Sequence, residues 1–191
     1  MGGVDSLALI ADDIRVCRAC PLCESATQAV PGSGAPDARL MFIGEAPGAH
    51  EDKAGMPFVG ASGKLLNKLL LVAGLDRSGL FIANVVKHRP PQNRDPLPEE
   101  VLACAPFLQR QIAVINPLVI VPLGRHAAAR WIPDIKISSA HGVPHRIANY
   151  IVVPMFHPAA ALYQPRNMAV LEADFQALGE LYRIVLRDAV K

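Results

Sequence analysis

The sequence predicts an α/β fold: a three-layer α/β/α sandwich around a central, mostly parallel four-stranded sheet. Two observations predict it. Four apolar runs of strand length are near-continuous rather than alternating, the pattern of strands covered on both faces. Segments with apolar residues at helical spacing lie between them, and alternation of strand with helix builds parallel sheets.

The elements follow in order. A helix is expected over about 6–16. The first strand is Leu40–Gly44. Leu65, Leu66, Leu69 and Leu70 recur at helical spacing, with Gly74 as a stop signal. The second strand is Leu80–Val86. Pro98-Glu99-Glu100 then opens a helix that runs to Ile115, because Pro suits the first turn and acids complement the positive end of the helix dipole. The third strand is Val119–Gly124, followed by a short helix. The fourth is Tyr150–Phe156, and a long last helix covers Met168–Val190. No repeat, low-complexity tract or linker interrupts this order, so residues 1–191 read as one domain. The stretch from Arg89 to Pro96 is too short for a linker and reads as a rigid functional loop.

Composition narrows the function classes. Of 191 residues, 51% are hydrophobic and 19% charged, a globular balance that excludes disorder. The net charge of +2 permits a nucleic-acid partner without demanding one, so contact with a polyanion has to come from a local patch. No apolar run approaches the roughly 20 residues of a membrane span. Met1–Asp5 lacks a basic start and a long apolar stretch, so secretion is not expected and a cytoplasmic location is.

The cysteines carry a second message. Cys17-x-x-Cys20 is followed far downstream by His88 and Cys104. A close pair plus two distant soft ligands is the arithmetic of a metal or iron–sulfur centre, which disulfides explain poorly in a reducing compartment. Cys23 extends the first motif and competes with His88 for the third position. A zinc ion held by three cysteines and a histidine is the alternative identity.

In open parallel sheets, ligands bind beyond the carboxyl ends of the strands. Three strand ends here deliver polar clusters: Gly44-Glu45-Ala46-Pro47-Gly48, then Asn84 with Lys87, His88 and Arg89, then His157-Pro158. Asn84 sits inside an apolar strand against its propensity, which suggests a polar task; capping a turn is the plainer explanation. Phe58 offers an aromatic face or ordinary core packing. His157, at the end of a buried strand, is a candidate hydrogen-bond donor to a developing negative charge. His50, His126, His141 and His145 have no partner at a telling spacing and read as surface or structural.

Taken together, Gly44–Gly48, Glu51-Asp52, Gly55–Gly60, Asn84–Lys87, Arg89–Arg94 and His157-Pro158 closely resemble the family-4 uracil-DNA glycosylases, the iron–sulfur branch of that superfamily. The resemblance covers about 17–182. It implies hydrolysis of the N-glycosidic bond of uracil in DNA, leaving an abasic site in base-excision repair. It also implies a 4Fe–4S cluster held by Cys17, Cys20, His88 and Cys104. His88 is a departure, because the family normally has a third cysteine there. The expected partner is uracil-containing DNA, single- or double-stranded, met by a monomer without membrane contact. By the resemblance, Glu45 and Glu51 lie near the base, with Gly44 and Ala46 allowing close backbone approach. The better-known branch of the superfamily has a water-activating aspartate in its first motif. No acid stands at the equivalent Pro47–Gly48, so Glu45 or Asn93 takes that task. His157 is the catalytic donor, Phe58 stacks on the flipped base, and Asn84 reads it. Lys87, Arg89, Arg94 and Arg166 are expected at DNA, with Leu162 or Tyr163 as the wedge that enters the duplex. The rival within the superfamily is a branch that traps uracil-DNA covalently through a reactive histidine in a basic insertion. No such insertion follows Arg89–Arg94 here. A non-catalytic iron–sulfur or DNA-binding module would leave Glu45, Asn84 and His157 as a coincidence.

Overall fold

Leu40–Gly44 is the axis of the sheet. In the computed structural model, which describes residues 5–189, the strands are β1 (Ser33–Gly34), β2 (Leu40–Gly44), β3 (Phe81–Asn84), β4 (Val119–Pro122), β5 (His145–Ile147) and β6 (Tyr150–Val152). Their order across the sheet is β1-β3-β2-β4-β6-β5. The four expected strands form its parallel centre. The sheet has six strands rather than four, because β1 and β5 add antiparallel edges. Those edges are two and three residues long and partly polar, too short to announce themselves by periodicity.

The helices are α1 (Leu7–Arg15), α2 (Leu22–Ser25), α3 (Ala49–Ala54), α4 (Ala61–Val72), α5 (Pro98–Ile115), α6 (Arg125–Ala128), α7 (Ile137–Ala140), α8 (Ala159–Tyr163) and α9 (Asn167–Ala189). The predicted ends of α1, α4 and α5 agree to within a few residues. The end of the last helix, expected at Val190, lies outside the described residues, as does Met1–Val4. No helix among the described residues is long and apolar enough to cross a membrane.

Strand pleating explains the three layers. Side chains alternate across a strand, so Leu40 and Phe42 join one core with Leu65, Leu66, Leu69 and Leu70 of α4 and with Leu171 and Phe175 of α9. Met41 and Ile43 point the other way and pack with Cys104 and Leu108 of α5. Ile10 and Ile14 of α1 form a smaller cluster with Ala29. Arg110 of α5 fastens the chain start with two 2.8 Å bonds to Asp5, and Asp13 of α1 adds a contact at 2.7 Å.

The β3 ladder ends at Asn84, two residues before the predicted end. The chain stays tied to β2 beyond it: Val85 N–H donates to the Gly44 carbonyl at 2.9 Å and Val86 N–H to the Glu45 carbonyl at 3.1 Å. This fixes the two strand ends that matter most against each other.

The face between α4 and α9 makes a first prediction. Gly179 of α9 is buried, and a Cβ there would overlap the backbone carbonyl of Ala73. Gly179→Ala should destabilise the fold by about 1–3 kcal/mol, measured as a lower midpoint in denaturant unfolding. An unchanged midpoint would mean that the two helices separate at little cost.

Candidate active site

The carboxyl ends of the parallel strands open on a cavity of about 420 Å³, walled in part by Phe58, Asn84 and His157. Glu51, Ala46, Asn93, Leu162 and Tyr163 complete its sides and rim. Register brings the first pair together, since Gly44 and Asn84 lie opposite one another in the β2–β3 ladder. A Cβ on residue 44 would run into the Asn84 amide oxygen and come within 2.8 Å of the Phe58 ring. Glycine at that position is therefore what lets amide and ring share the strand end.

Phe58 is held from several sides. Its φ is 53°, in the left-handed region that few residues other than glycine adopt. Its backbone lies so close to α4 that a Cβ on Gly63 would overlap the Phe58 carbonyl. Arg77 donates to the carbonyls of Pro57 at 2.9 Å and Phe58 at 3.3 Å, and to Asn67 Oδ1 at 2.6 Å. Glu51 accepts from the N–H groups of Val59 and Gly60 at 2.9 and 2.8 Å with one oxygen, and from Gly48 at 3.2 Å with the other. Glu51 thus fastens the loop as well as lining the cavity. Arg77 carries no motif and was not legible as a site residue.

Asn84 is 2% exposed, and its Oδ1 is buried with no hydrogen-bond partner. A buried acceptor left unmet costs about 1–3 kcal/mol, so its presence at a cavity wall points to a ligand group. The ring of His157 lies 5.6 Å from that of Phe58, centroid to centroid. Its Nδ1 accepts a hydrogen bond from the Ala159 backbone N–H at 3.1 Å. The proton of the neutral ring therefore sits on Nε2. Burial pushes the imidazole down to about 4, with the Glu51 carboxylate opposing, so His157 is neutral at ordinary pH and a single N–H donor.

Glu45 lines an adjacent cleft that shares Ala46, Gly48, Asn93 and His157 with the first. Burial raises its pKa, opposed by His126 and Arg125, while Asp95 adds to the rise. His126 is not the bystander that its isolated place in the sequence suggested; its partners come from distant segments. His50 lines the main cavity as well.

The proline-rich loop is held by bonds within itself and to α5 and α6. Gln92 and Asn93 have φ of 55° and 56°. Arg89 donates to Asn93 Oδ1 at 2.8 Å. Arg94 is exposed, and its guanidinium donates to Glu100 with two bonds of 2.8 and 2.6 Å and to the Asp95 carbonyl. The expectation that Lys87 faces DNA is corrected. It is 1% exposed, and its ammonium donates to the Asn84 carbonyl at 2.8 Å and to Gln111 Oε1 at 2.7 Å. Gln111 in turn donates to the Pro31 carbonyl at 2.7 Å. A phosphate cannot reach that ammonium; the apolar Val85-Val86 run carried Lys87 inward with it. Arg166 is exposed and donates to Gln164. Tyr163 and Leu162 project from α8 at the cavity rim, 85% and 48% exposed.

On the far side of Lys87 lie the thiols. All four cysteines are free. Cys17 accepts from the Ala19 N–H at 3.5 Å, Cys20 from Leu22, and Cys104 from Lys87. Burial raises the Cys104 thiol to about 11, with Cys20 and Cys17 near enough to raise it further and the Lys87 ammonium opposing. His88 is buried and kept neutral, with Arg18 of the Cys17–Cys20 segment beside it. Arg18 also donates to the Cys23 carbonyl at 3.5 Å. Thiols at Cys17, Cys20 and Cys104 that each take a backbone N–H suit a metal centre, whose charge would deprotonate them.

A sequence model of the uracil DNA glycosylase superfamily matches residues 31–179. Among curated relatives, the type-4 uracil-DNA glycosylase of Sulfurisphaera tokodaii is 46% identical over 93% of this chain and 86% of its own. That of Saccharolobus solfataricus is 46% identical over 93% and 87%, and that of Archaeoglobus fulgidus 44% over 93% and 94%. With a cavity of this build at the strand ends, the chain belongs to the uracil DNA glycosylase superfamily, in its type-4 branch.

Proposed function

We infer that this chain is a uracil-DNA glycosylase of base-excision repair, its residues 1–191 forming one catalytic domain. The observation that carries the reading is the unmet Oδ1 of Asn84 in the wall that Phe58 and His157 share. A uracil flipped from DNA offers N3–H to that oxygen and O4 to the amide NH₂, while its ring lies on Phe58. As the bond from N1 to the sugar breaks, negative charge grows on the base. The Nε2–H of neutral His157 donates to its carbonyl oxygen. The sugar becomes cationic, and Glu45 is the carboxylate that faces it. Water adds to the sugar carbon, its proton passing to Glu45, with Asn93 as the second polar group at that cleft. Tyr163 or Leu162 fills the space left in the duplex. Arg89, Arg94 and Arg166 remain the candidate phosphate contacts among the cations first expected there.

The covalent-trap reading needs a reactive, accessible histidine after the second parallel strand. His88 is 6% exposed, which supports turnover instead. A uracil oligonucleotide should leave with an alkali-labile abasic site and free protein; a protein–DNA band surviving denaturing electrophoresis would reverse that choice.

We propose a 4Fe–4S cluster on Cys17, Cys20, Cys104 and His88, with Cys23 as the competing fourth ligand. It supplies a covalent tie between the chain start, the proline-rich loop and α5, and glycosidic hydrolysis asks no redox step of it. Purified protein should contain iron and sulfide. Cys17→Ala and Cys104→Ala should lose both, whereas His88→Cys should retain them. Stoichiometric zinc without sulfide would reject the cluster. Iron lost from Cys23→Ala but kept by His88→Ala would reassign the ligand.

His157→Ala should slow single-turnover excision about 10²-fold while DNA affinity changes little, because the donor acts on charge that develops in the transition state. Its pKa is lowered, so the neutral donor form persists as pH falls through 6.5 and is lost only near 4. The wild-type rate should therefore show no step near 6.5 that disappears in His157→Gln. Such a step would mean that an imidazolium does the work.

Asn84→Asp keeps the shape but removes the donor to O4. Opposing a buried polar group in this way costs about 1–3 kcal/mol, or roughly 5- to 150-fold. Uracil excision should fall by that factor, with at most weak excision of cytosine gained. Unchanged uracil excision would make Asn84 a structural residue.

A further inference from the structure

Arg125 and His126 follow β4 directly, so this strand too delivers polar groups to the strand-end region. Glu45, Asp95 and His126 come from the end of β2, the proline-rich loop and α6. A ligand-type atom of each nevertheless lies within 4.8 Å of the other two. His126 Nε2 is 3.0 Å from Asp95 Oδ2, and Arg125 Nη2 is 3.1 Å from the same ring nitrogen. Glu45 and Asp95 line the cleft that contains His157 and Asn93, whereas His126 opens with Arg125 on a neighbouring hollow. His126 therefore reaches a bound base or sugar only through Glu45.

We propose that His126, held by Asp95, is a positioning residue that keeps Glu45 ionised and aimed into the cleft. This rests on reading Glu45 as the carboxylate of the reaction. A protonated carboxyl would neither face a cationic sugar nor accept a proton from water. Burial drives Glu45 towards that useless form, and Asp95 pushes the same way. The opposing groups are His126 and Arg125. Asp95 also holds the His126 ring in place, 3.0 Å from its Nε2, next to the carboxylate that His126 and Arg125 favour in its ionised form. A divalent cation is the other occupant that two carboxylates and a histidine could accept, but the Arg125 guanidinium already stands at the ring nitrogen an ion would use.

The test is the acid limb of single-turnover excision on a uracil oligonucleotide, followed from about pH 4.5 to 8. Removing the cation raises the Glu45 pKa, so His126→Gln should move the limb upward by about one pH unit. His126→Lys, which restores a cation, should bring it back. Arg125→Gln should move it the same way by less, and it serves if His126→Gln does not fold. A merely structural His126 would lower the rate at every pH and leave the limb in place. That outcome, with Glu45→Gln inactive, would overturn the proposal. Wild-type excision by Glu45→Gln would instead remove the reading of Glu45 beneath it. Excision lost to a chelator and restored by manganese ion would make the trio a metal site, which also overturns it.

Discussion

Gly44 ends the central strand without a side chain, and the cavity depends on that vacancy. Parallel register sets Asn84 opposite it, and the Phe58 ring closes over it. With a methyl group there, amide and ring would have to part, and the two surfaces a flat heterocycle needs would no longer meet. The vacancy alone is not enough, because Phe58 must also be brought to it. Its left-handed backbone costs roughly 1–2 kcal/mol for a residue with a Cβ. The close seat on Gly63, the Arg77 bonds and the Glu51 clamp offset that cost. Strain of this kind persists only where surrounding structure over-determines it, and here three separate elements do so.

Lys87 supplies the other anchor of the same strand end. Burying an ammonium without a carboxylate is costly, and burial lowers its pKa to about 8. The charge is kept by the Asn84 carbonyl, by Gln111 and by the field of Cys104. The backbone of the proposed base-reading residue is therefore bonded to a cation that interacts with the Cys104 thiol. A cluster on those thiols would add negative charge beside Lys87 and strengthen the hold. This gives a structural meaning to a metal centre in an enzyme whose chemistry needs no electron.

Much of this was legible in the sequence, for identifiable reasons. Buried parallel strands are continuous apolar runs, so β2, β3, β4 and β6 announced themselves, and with them the strand ends where Asn84 and His157 lie. Pro98 and its acids marked the start of α5 to the residue. The misses share a physical cause. The strands β1 and β5 are shorter than any period can register. A lysine's charge does not tell whether it faces water, and the partner that holds Lys87 inward, Gln111, lies on α5. Arg77 and His126 act on residues far away in the chain, so only the tertiary structure brings their meaning into view.

The arrangement of charge around the cleft mouth follows from what the reaction separates. Breaking an N-glycosidic bond leaves an anion on the base and a cation on the sugar, so the protein must offer a donor to one and a carboxylate to the other without letting them neutralise each other. If the donor histidine and the carboxylate paired with one another, neither would be left to face its half of the substrate. Here the two are kept in different environments. His157 is half-buried beside Phe58 and fixed by the Ala159 N–H, and desolvation holds its pKa down to about 4, so it stays neutral and presents one donor. Glu45 is half-buried but stands among Arg125, His126 and Asp95. Environments that push two titratable groups apart assign acid and base roles. In the proposed mechanism the assignment follows from where the strands end, since β2 leads to Glu45, β4 to Arg125 and His126 behind it, and the chain beyond β6 to His157.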